Sequence, residues 1–161
     1  MRIGVLTVSD TCAADPTADR SGPEVRRCVE ESDLTDARIS TGIEWISARL
    51  DAVDVILTTG GTGFAPRDVT PEATRQLIER PCLGIVVALL RAGLEKTPLA
   101  ALSRPEAGIA GRCLIVNLPG SPKAVRESMP VLLPLLPHAV ALLRDDRREV
   151  RAVHNEVAKE A

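Results

Sequence analysis

Residues 53–68 run VDVILTTGGTGFAPRD. The first seven, Val53–Thr59, are aliphatic or β-branched apart from Asp54 and have no helical spacing, the pattern of a short strand buried on both faces. The chain leaves that strand through Gly60-Gly61-Thr62-Gly63 and arrives at an arginine beside an aspartate. Glycines let a backbone take positive φ and bring its N–H groups close to an anion. Thr58, Thr59 and Thr62 add hydroxyls, and a helix starting near Thr70 adds a favourable dipole. The stretch is neither GxxxxGK[ST] nor GxGxxG. Two readings stay open at this point: a phosphate cradle, or a strand-to-helix turn without a ligand. Asp68 divides the same way, between a ligand for nucleotide-bound Mg²⁺ and a helix cap or surface partner of Arg67.

Working outward, RIGVLTVS (2–9) and Cys113–Leu118 within RCLIVNLPGS (112–121) repeat the buried-strand pattern, and a shorter strand fits around Ala37–Ser40. Helical spacing appears in EVRRCVEES, with Ser21 or Gly22 near its N-cap and Pro23 in its first turn. It recurs in IEWISARLDA (43–52), in TPEATRQLIER (70–80) with Thr70 as N-cap, and in PCLGIVVALLRAGLEK (81–96). Two helices fit 122–146, interrupted by Pro130, Pro134 and Pro137, the second running from about Pro134 to Leu143. DTCAADPTADRSGP and SRPEAGIAG (103–111) have the composition of loops. Near-continuous apolar strands alternating with helices predict an α/β fold whose mostly parallel sheet is covered on both faces.

In such sheets ligands bind beyond the carboxyl ends of the strands. Three loops leave those ends, and all are rich in Gly, Ser, Thr, Asn or Asp. The first carries Ser9 and Asp10, as ligand contacts or as turn and cap residues. The second is Thr58–Asp68. The third, NLPGSP (117–122), offers Asn117, Gly120 and Ser121 to a base or an anion, or is a plain loop with a capping serine. Ser103-Arg104 adds a polar contact and a guanidinium fork that suits phosphate.

Bulk properties bound the partners. The chain has 161 residues, 45% hydrophobic and 26% charged, with a formal net charge of −2. Nothing there is a polybasic footprint for nucleic acid or an anionic membrane. Trp45 and Phe64 are its only aromatics, too few for base stacking. Cys12, Cys28, Cys82 and Cys113 form no CxxC, and His138 and His154 keep no ligand-like spacing with them, which predicts buried thiols in a reducing cytoplasm rather than a metal site. The opening MRIGVLTVSD has no signal-peptide pattern, and no apolar run is long enough for a membrane span.

With these loops in place the chain resembles the molybdopterin adenylyltransferase (Mog/MoaB-type) domain of molybdenum-cofactor biosynthesis, and is similar to the N-terminal domain of gephyrin. The resemblance rests on GVLTVSD, DRSGP, TTGGTGFAPRDVTPEAT, LSRPEAGIAG, LIVNLPGSPKAV and LPHAVALLRD, in order from residue 3 to about 146. It implies a three-layer α/β/α domain over 1–146, with a charged tail over 147–161. It also implies a homotrimer and a downstream metal-insertion protein as partner. The implied reaction is Mg-ATP-dependent adenylylation of molybdopterin with release of pyrophosphate, with ATP as co-substrate and Mg²⁺ as cofactor. By the same resemblance Asp68 and Ser103 are catalytic and Asp68 is a Mg²⁺ ligand. Ser9, Asp10, Thr59, Gly60, Gly61, Thr62, Gly63, Asn117, Pro119, Gly120 and Ser121 bind substrate or nucleotide.

One departure stands out. The family has an acidic residue, tied to adenylylation, before the helix leading into GGTG; here Thr41 takes that place, and the strand before it is shortened. Threonine cannot neutralise Mg²⁺ as a carboxylate does. The alternative is therefore a non-catalytic molybdopterin-binding or scaffold trimer.

Overall fold

The computed structural model describes residues 1–32, 37–40, 46, 48–146, 148 and 150, with only the backbone course of 37–40. Thr41, Asp36, Trp45 and His154 lie outside the described residues, as do 43–45 and 47 of the 43–52 helical pattern, while 48–52 form turns.

The strands are β1 (Ile3–Thr7), β2 (Ala37–Ser40), β3 (Val55–Thr59), β4 (Arg80–Pro81), β5 (Ala107–Ala110) and β6 (Cys113–Leu118). They form one sheet in the order β2-β1-β3-β6-β5-β4. β2, β1, β3 and β6 run parallel, with Ile3 opposite both Ala37 and Val55, and Val55 opposite Leu114. β5 and β4 add an antiparallel edge. The helices are α1 (Asp10–Ala14), α2 (Ser21–Glu30), α3 (Thr70–Arg75), α4 (Leu83–Leu94), α5 (Pro122–Leu132) and α6 (Leu136–Leu143).

Alternation along each central strand builds two apolar layers. Ile3, Val5, Val55, Leu57, Leu114, Val116 and Leu118 face one side, where Val25 and Val29 of α2, Leu89 of α4, Val125, Met129 and Leu132 of α5, and Leu136 and Val140 of α6 cover them. Leu6, Ile56, Cys113 and Ile115 face the other side, against Ile46, Leu50, Val53 and Leu77. Every residue of β1, β3 and β6 is buried. Each fully buried Val, Leu or Ile contributes about 1.5–3 kcal/mol, so these two layers dominate folding stability. This is the expected α/β arrangement.

Four local expectations need correction. Ala107–Ala110 is a strand rather than loop, because Glu79 N–H and Cys82 N–H donate to the carbonyls of Ile109 and Ala107 on one edge while β6 pairs on the other. The 10–14 segment is a helical turn, capped by the Ser9 hydroxyl accepting from Cys12 N–H at 3.3 Å. The 70–80 pattern is helical only to Arg75, since Glu79 and Arg80 are drawn into the sheet edge. α5 runs through Pro130 to Leu132, held by buried Val125, Met129 and Leu132; the break is the 3-10 turn Leu133–Leu135 that follows.

Two capping expectations also move. α2 starts at Ser21, but the cap is the Asp19 carboxylate, which accepts from Gly22 N–H at 2.9 Å and from the Thr7 hydroxyl at 2.7 Å. Thr70 is the first helical residue and makes no cap: its hydroxyl donates to the Gly60 carbonyl at 2.9 Å.

Candidate functional site

The chain passes from β1 outward to β2, then returns to β3 on the other side of β1, so the strand order reverses at the β1–β3 seam. A crevice opens at the carboxyl ends there, as the connectivity demands. That seam is continued past the strands by Val8 N–H donating to the Thr59 carbonyl at 2.8 Å, and the neighbouring β3–β6 seam by Gly60 N–H donating to the Leu118 carbonyl at 3.2 Å.

That crevice is a cavity of about 380 Å³ lined by Ser9, Asp10, Thr11, Cys12, Arg20, Ser21, Gly60, Gly61, Arg67, Asp68 and Gly120 among others. Six residues singled out from the sequence meet here: Ser9, Asp10, Gly60, Gly61, Asp68 and Gly120. Asp10 and Arg67 are exposed and approach to 3.8 Å across it. Asp68 is half-buried, and its carboxylate accepts from Ala65 N–H at 3.0 Å, which fixes it within its own loop.

The glycines are required by geometry at the loop's start. Gly60 and Gly61 have φ of +98° and +63°. A β-carbon on Gly60 would lie 2.3 Å from the Val8 carbonyl oxygen, and one on Gly61 would lie 2.3 Å from the Thr70 hydroxyl. Only glycine lets the two loops pack backbone against backbone. Thr70 then closes the loop, its N–H donating to the Gly61 carbonyl at 3.1 Å.

A second cavity of about 310 Å³ lies on the other side of the 119–122 loop, lined by Leu89, Leu90, Lys96, Leu99, Ser103, Asn117, Pro119, Ser121 and Lys123 among others. It collects Ser103, Asn117, Pro119 and Ser121. The predicted residues other than Thr59, Thr62 and Gly63 therefore divide between two cavities that share one loop as their wall. Thr62 is buried beneath, with its hydroxyl 3.5 Å from that of Ser103. Gly63 follows it in the loop, and Thr59, fully buried, donates its hydroxyl to the Pro119 carbonyl at 2.7 Å.

Asn117 is committed to the protein. Its amide donates to the hydroxyls of Thr58 at 2.8 Å and Thr74 at 2.9 Å, and its carbonyl accepts from Glu106 N–H at 3.1 Å. It ties β6 to β3, α3 and the start of β5, and so sets where the neighbouring loop lies. The Ser121 hydroxyl accepts from Ala124 N–H at 3.5 Å, capping α5.

Arg104 departs from the phosphate fork expected of it. Its guanidinium donates to the carbonyls of Gly63 at 2.9 Å and Asp68 at 2.5 Å, and pairs with Glu72. Its backbone N–H donates to the Thr62 carbonyl at 2.9 Å. The Arg104 hydrogen bond holds the Glu72 carboxyl below its ordinary range.

Sequence reasoning named no role for Arg20 and Ser21 in the first cavity, although DRSGP carried the signal: the 19–22 turn is pinned by Asp19 beside β1. All four cysteines are free thiols. Burial, then the nearby Asp54 charge, pushes Cys113 up to about 12, and burial raises Cys28 and Cys82 as well. None of the three is an activated nucleophile.

Among the described residues there is no group of three or more His, Cys, Asp or Glu side chains placed to hold a metal. Asp68 and Asp10 are the carboxylates lining the cavity.

Comparison with known proteins identifies the family. Residues 4–138 match a family described as "Probable molybdopterin binding domain". The chain belongs to that family. This molybdopterin-binding domain, of the Mog/MoaB type found in molybdenum-cofactor biosynthesis, is 47% identical to the molybdenum cofactor synthesis protein cinnamon of Drosophila melanogaster over 96% of the chain, but it spans only 27% of that protein's length. It is 32% identical to a molybdopterin adenylyltransferase of Helicobacter pylori strain J99, covering 93% of the chain and 92% of that enzyme. Among solved structures it is similar to the molybdopterin biosynthesis enzyme MoaB of Thermus thermophilus, with 44% identity, 88% and 95% of the two chains covered, and a TM-score of 0.76.

Among the described residues no helix of this molybdopterin-binding domain is long and apolar enough to cross a membrane.

Proposed function

We propose that this chain adenylylates molybdopterin, transferring AMP from ATP to the terminal phosphate of the pterin and releasing pyrophosphate. The observation that carries the reading is the pair of cavities sharing the 119–122 loop. A bisubstrate reaction between a nucleotide and a pterin phosphate needs room for two ligands side by side, and two neighbouring cavities offer it. The naming of a full-length bacterial relative as a molybdopterin adenylyltransferase supports it.

The chemistry suits the residues. The attacking phosphate oxygen is already ionised at neutral pH, so an in-line displacement at the α-phosphorus needs alignment and charge neutralisation more than a general base. The backbone around Gly60 and Gly61, fixed in shape, presents a rigid edge to the phosphates. Ser9, Ser103 and Ser121 offer hydroxyls, and Arg20 and Arg67 bring positive charge to the first cavity. Thr59, Thr62, Gly63, Asn117, Pro119 and Gly120 hold the shared wall in place. Mg²⁺, when bound, neutralises charge on the triphosphate, and Asp68 and Asp10 are the residues that would hold it.

The active form is proposed to be a homotrimer. α4 is apolar nearly all round, yet only Leu89 is buried; Leu83, Val87 and Leu94, with Leu99 and Leu102 beyond, are exposed. A helix of that kind is normally covered. The domain is proposed to act in the cytoplasm and to pass its product to a metal-insertion protein.

A second reading rests on Thr41. With threonine at the position where the family carries an acid, a binding or scaffold trimer without turnover is the competing function. Incubating the purified chain with molybdopterin, ATP and Mg²⁺ separates the two: pyrophosphate release that requires both substrates supports the enzyme, and tight pterin binding without release supports the scaffold. Thr41→Asp should raise turnover if the acid is missing from the metal site.

A further inference from the structure

We propose that Arg104 is a positioning residue whose guanidinium clamps the 62–69 loop and so holds the Asp68 carboxylate toward the first cavity. The loop is closed at its base by Thr70 N–H on the Gly61 carbonyl and the Thr70 hydroxyl on the Gly60 carbonyl. Above that base its middle is exposed: Phe64, Ala65, Pro66 and Arg67 bury no side chain that would order it. The 65–68 turn is held by its own hydrogen bonds, and Arg104 ties it to the rest of the chain. Nε holds the Gly63 carbonyl, at the beginning of the exposed stretch. Nη2 holds the Asp68 carbonyl, at its end. Nη1 pairs with Glu72 in the first turn of α3, and the Arg104 N–H holds the Thr62 carbonyl. One planar group thus fixes the distance between both ends of the loop and its orientation on α3.

The shape of this contact demands arginine. A guanidinium presents donors in a rigid fork that reaches two carbonyls and a carboxylate at once; an ammonium is a single point charge that cannot span them. Three of its five N–H donors are engaged in this way, and the proposed influence of Arg104 on chemistry runs through Asp68. The hydrogen bond from Ala65 N–H to the Asp68 carboxylate reports whether the loop is in place.

The effect on turnover rests on the proposed adenylylation; the clamp itself does not. Arg104→Lys and Arg104→Gln are compared with wild type and with Arg27→Gln, which removes only a surface ion-pair cluster on α2. Amide hydrogen exchange at Ala65 and Asp68 should speed up about tenfold in both Arg104 variants while β1 and β3 amides keep their protection. kcat should fall about 100-fold, as expected for a misplacement of about 1 Å, with KM for ATP little changed. Arg104→Lys should not rescue, because charge without the fork is insufficient. Unchanged exchange at Ala65 and Asp68 overturns the proposal whatever the activity. So does faster exchange with unchanged kcat, or wild-type behaviour in Arg104→Lys. If the wild-type chain releases no pyrophosphate at all, the adenylylation reading fails, and the exchange comparison still judges the clamp.

Discussion

The backbone of Gly60 lies so close to Val8 that a β-carbon at Gly60 would sit 2.3 Å from the Val8 carbonyl oxygen. This contact joins the first two strand-end loops, and it is what makes one cavity from loops that are distant in the chain. Gly60→Ala adds both a steric clash and strain at a φ of +98°. The expected cost is about 2–3 kcal/mol, measured as a lower urea midpoint with an unchanged m-value. A variant as stable as wild type would mean the loops part easily and are not a fixed frame.

Asn117→Ala should be among the most destabilising single changes. It strands the Thr58 and Thr74 hydroxyls and the Glu106 N–H in places where Asn117 and Thr58 are fully buried and Thr74 nearly so. A loss of about 2–4 kcal/mol is expected. Asn117→Asp should recover little, since it places a carboxylate charge at a fully buried position. Chemical denaturation of the three proteins checks this.

Acid stability should depend on Asp54. Burial acts to raise its carboxyl, but hydrogen bonds from the Arg144 guanidinium and Arg2 N–H outweigh it and hold the group below its ordinary value. The folded state therefore keeps this carboxylate ionised where the unfolded chain, with a pKa of about 3.9, takes up a proton. The contribution is complete above that unfolded value and disappears as pH falls through the lower, folded value. Asp54→Asn should cost about 1 kcal/mol at pH 7 and flatten the loss of stability below about pH 4. An identical acid limb in wild type and variant would contradict the assignment.

Thiol chemistry separates the four cysteines. Cys113, fully buried and pushed up to about 12, should resist alkylation at about pH 8 until the chain unfolds. Mass-spectrometric mapping of an alkylated native sample should find Cys113 unmodified. Prompt labelling there would show that the layer containing Ile56 and Ile115 opens readily.

How much of this was legible in the sequence follows from how local each signal is. β1, β3 and β6 are continuous apolar runs, because a strand buried on both faces leaves few polar positions. The three loops after them were visible for the complementary reason: Gly, Ser and Asp cluster where the chain must turn and face solvent. β5 was hidden because Pro105 and Gly108 lie in or beside it, and what makes it a strand is pairing with residues on both sides, which no local pattern records. Thr70 looked like a cap by composition, yet the Gly60 carbonyl, earlier in the same loop, claims its hydroxyl. Arg104 looked like a phosphate ligand because an isolated arginine beside a serine says nothing about the carbonyls of Thr62, Gly63 and Asp68 that fold over it. The division of the site into two cavities was likewise out of reach, since it depends on which side of the 119–122 loop each side chain falls.

The most direct test of the central claim uses ATP labelled on the α-phosphate, molybdopterin and Mg²⁺, with wild type and Asp68→Ala side by side. The Asp68 carboxylate is hydrogen-bonded within its own loop, so the variant should fold normally by circular dichroism. The account predicts that wild type transfers label to molybdopterin and that Asp68→Ala does so at least about 100-fold more slowly. Equal transfer by the two proteins, or no transfer by wild type under conditions where it binds the pterin, would contradict it.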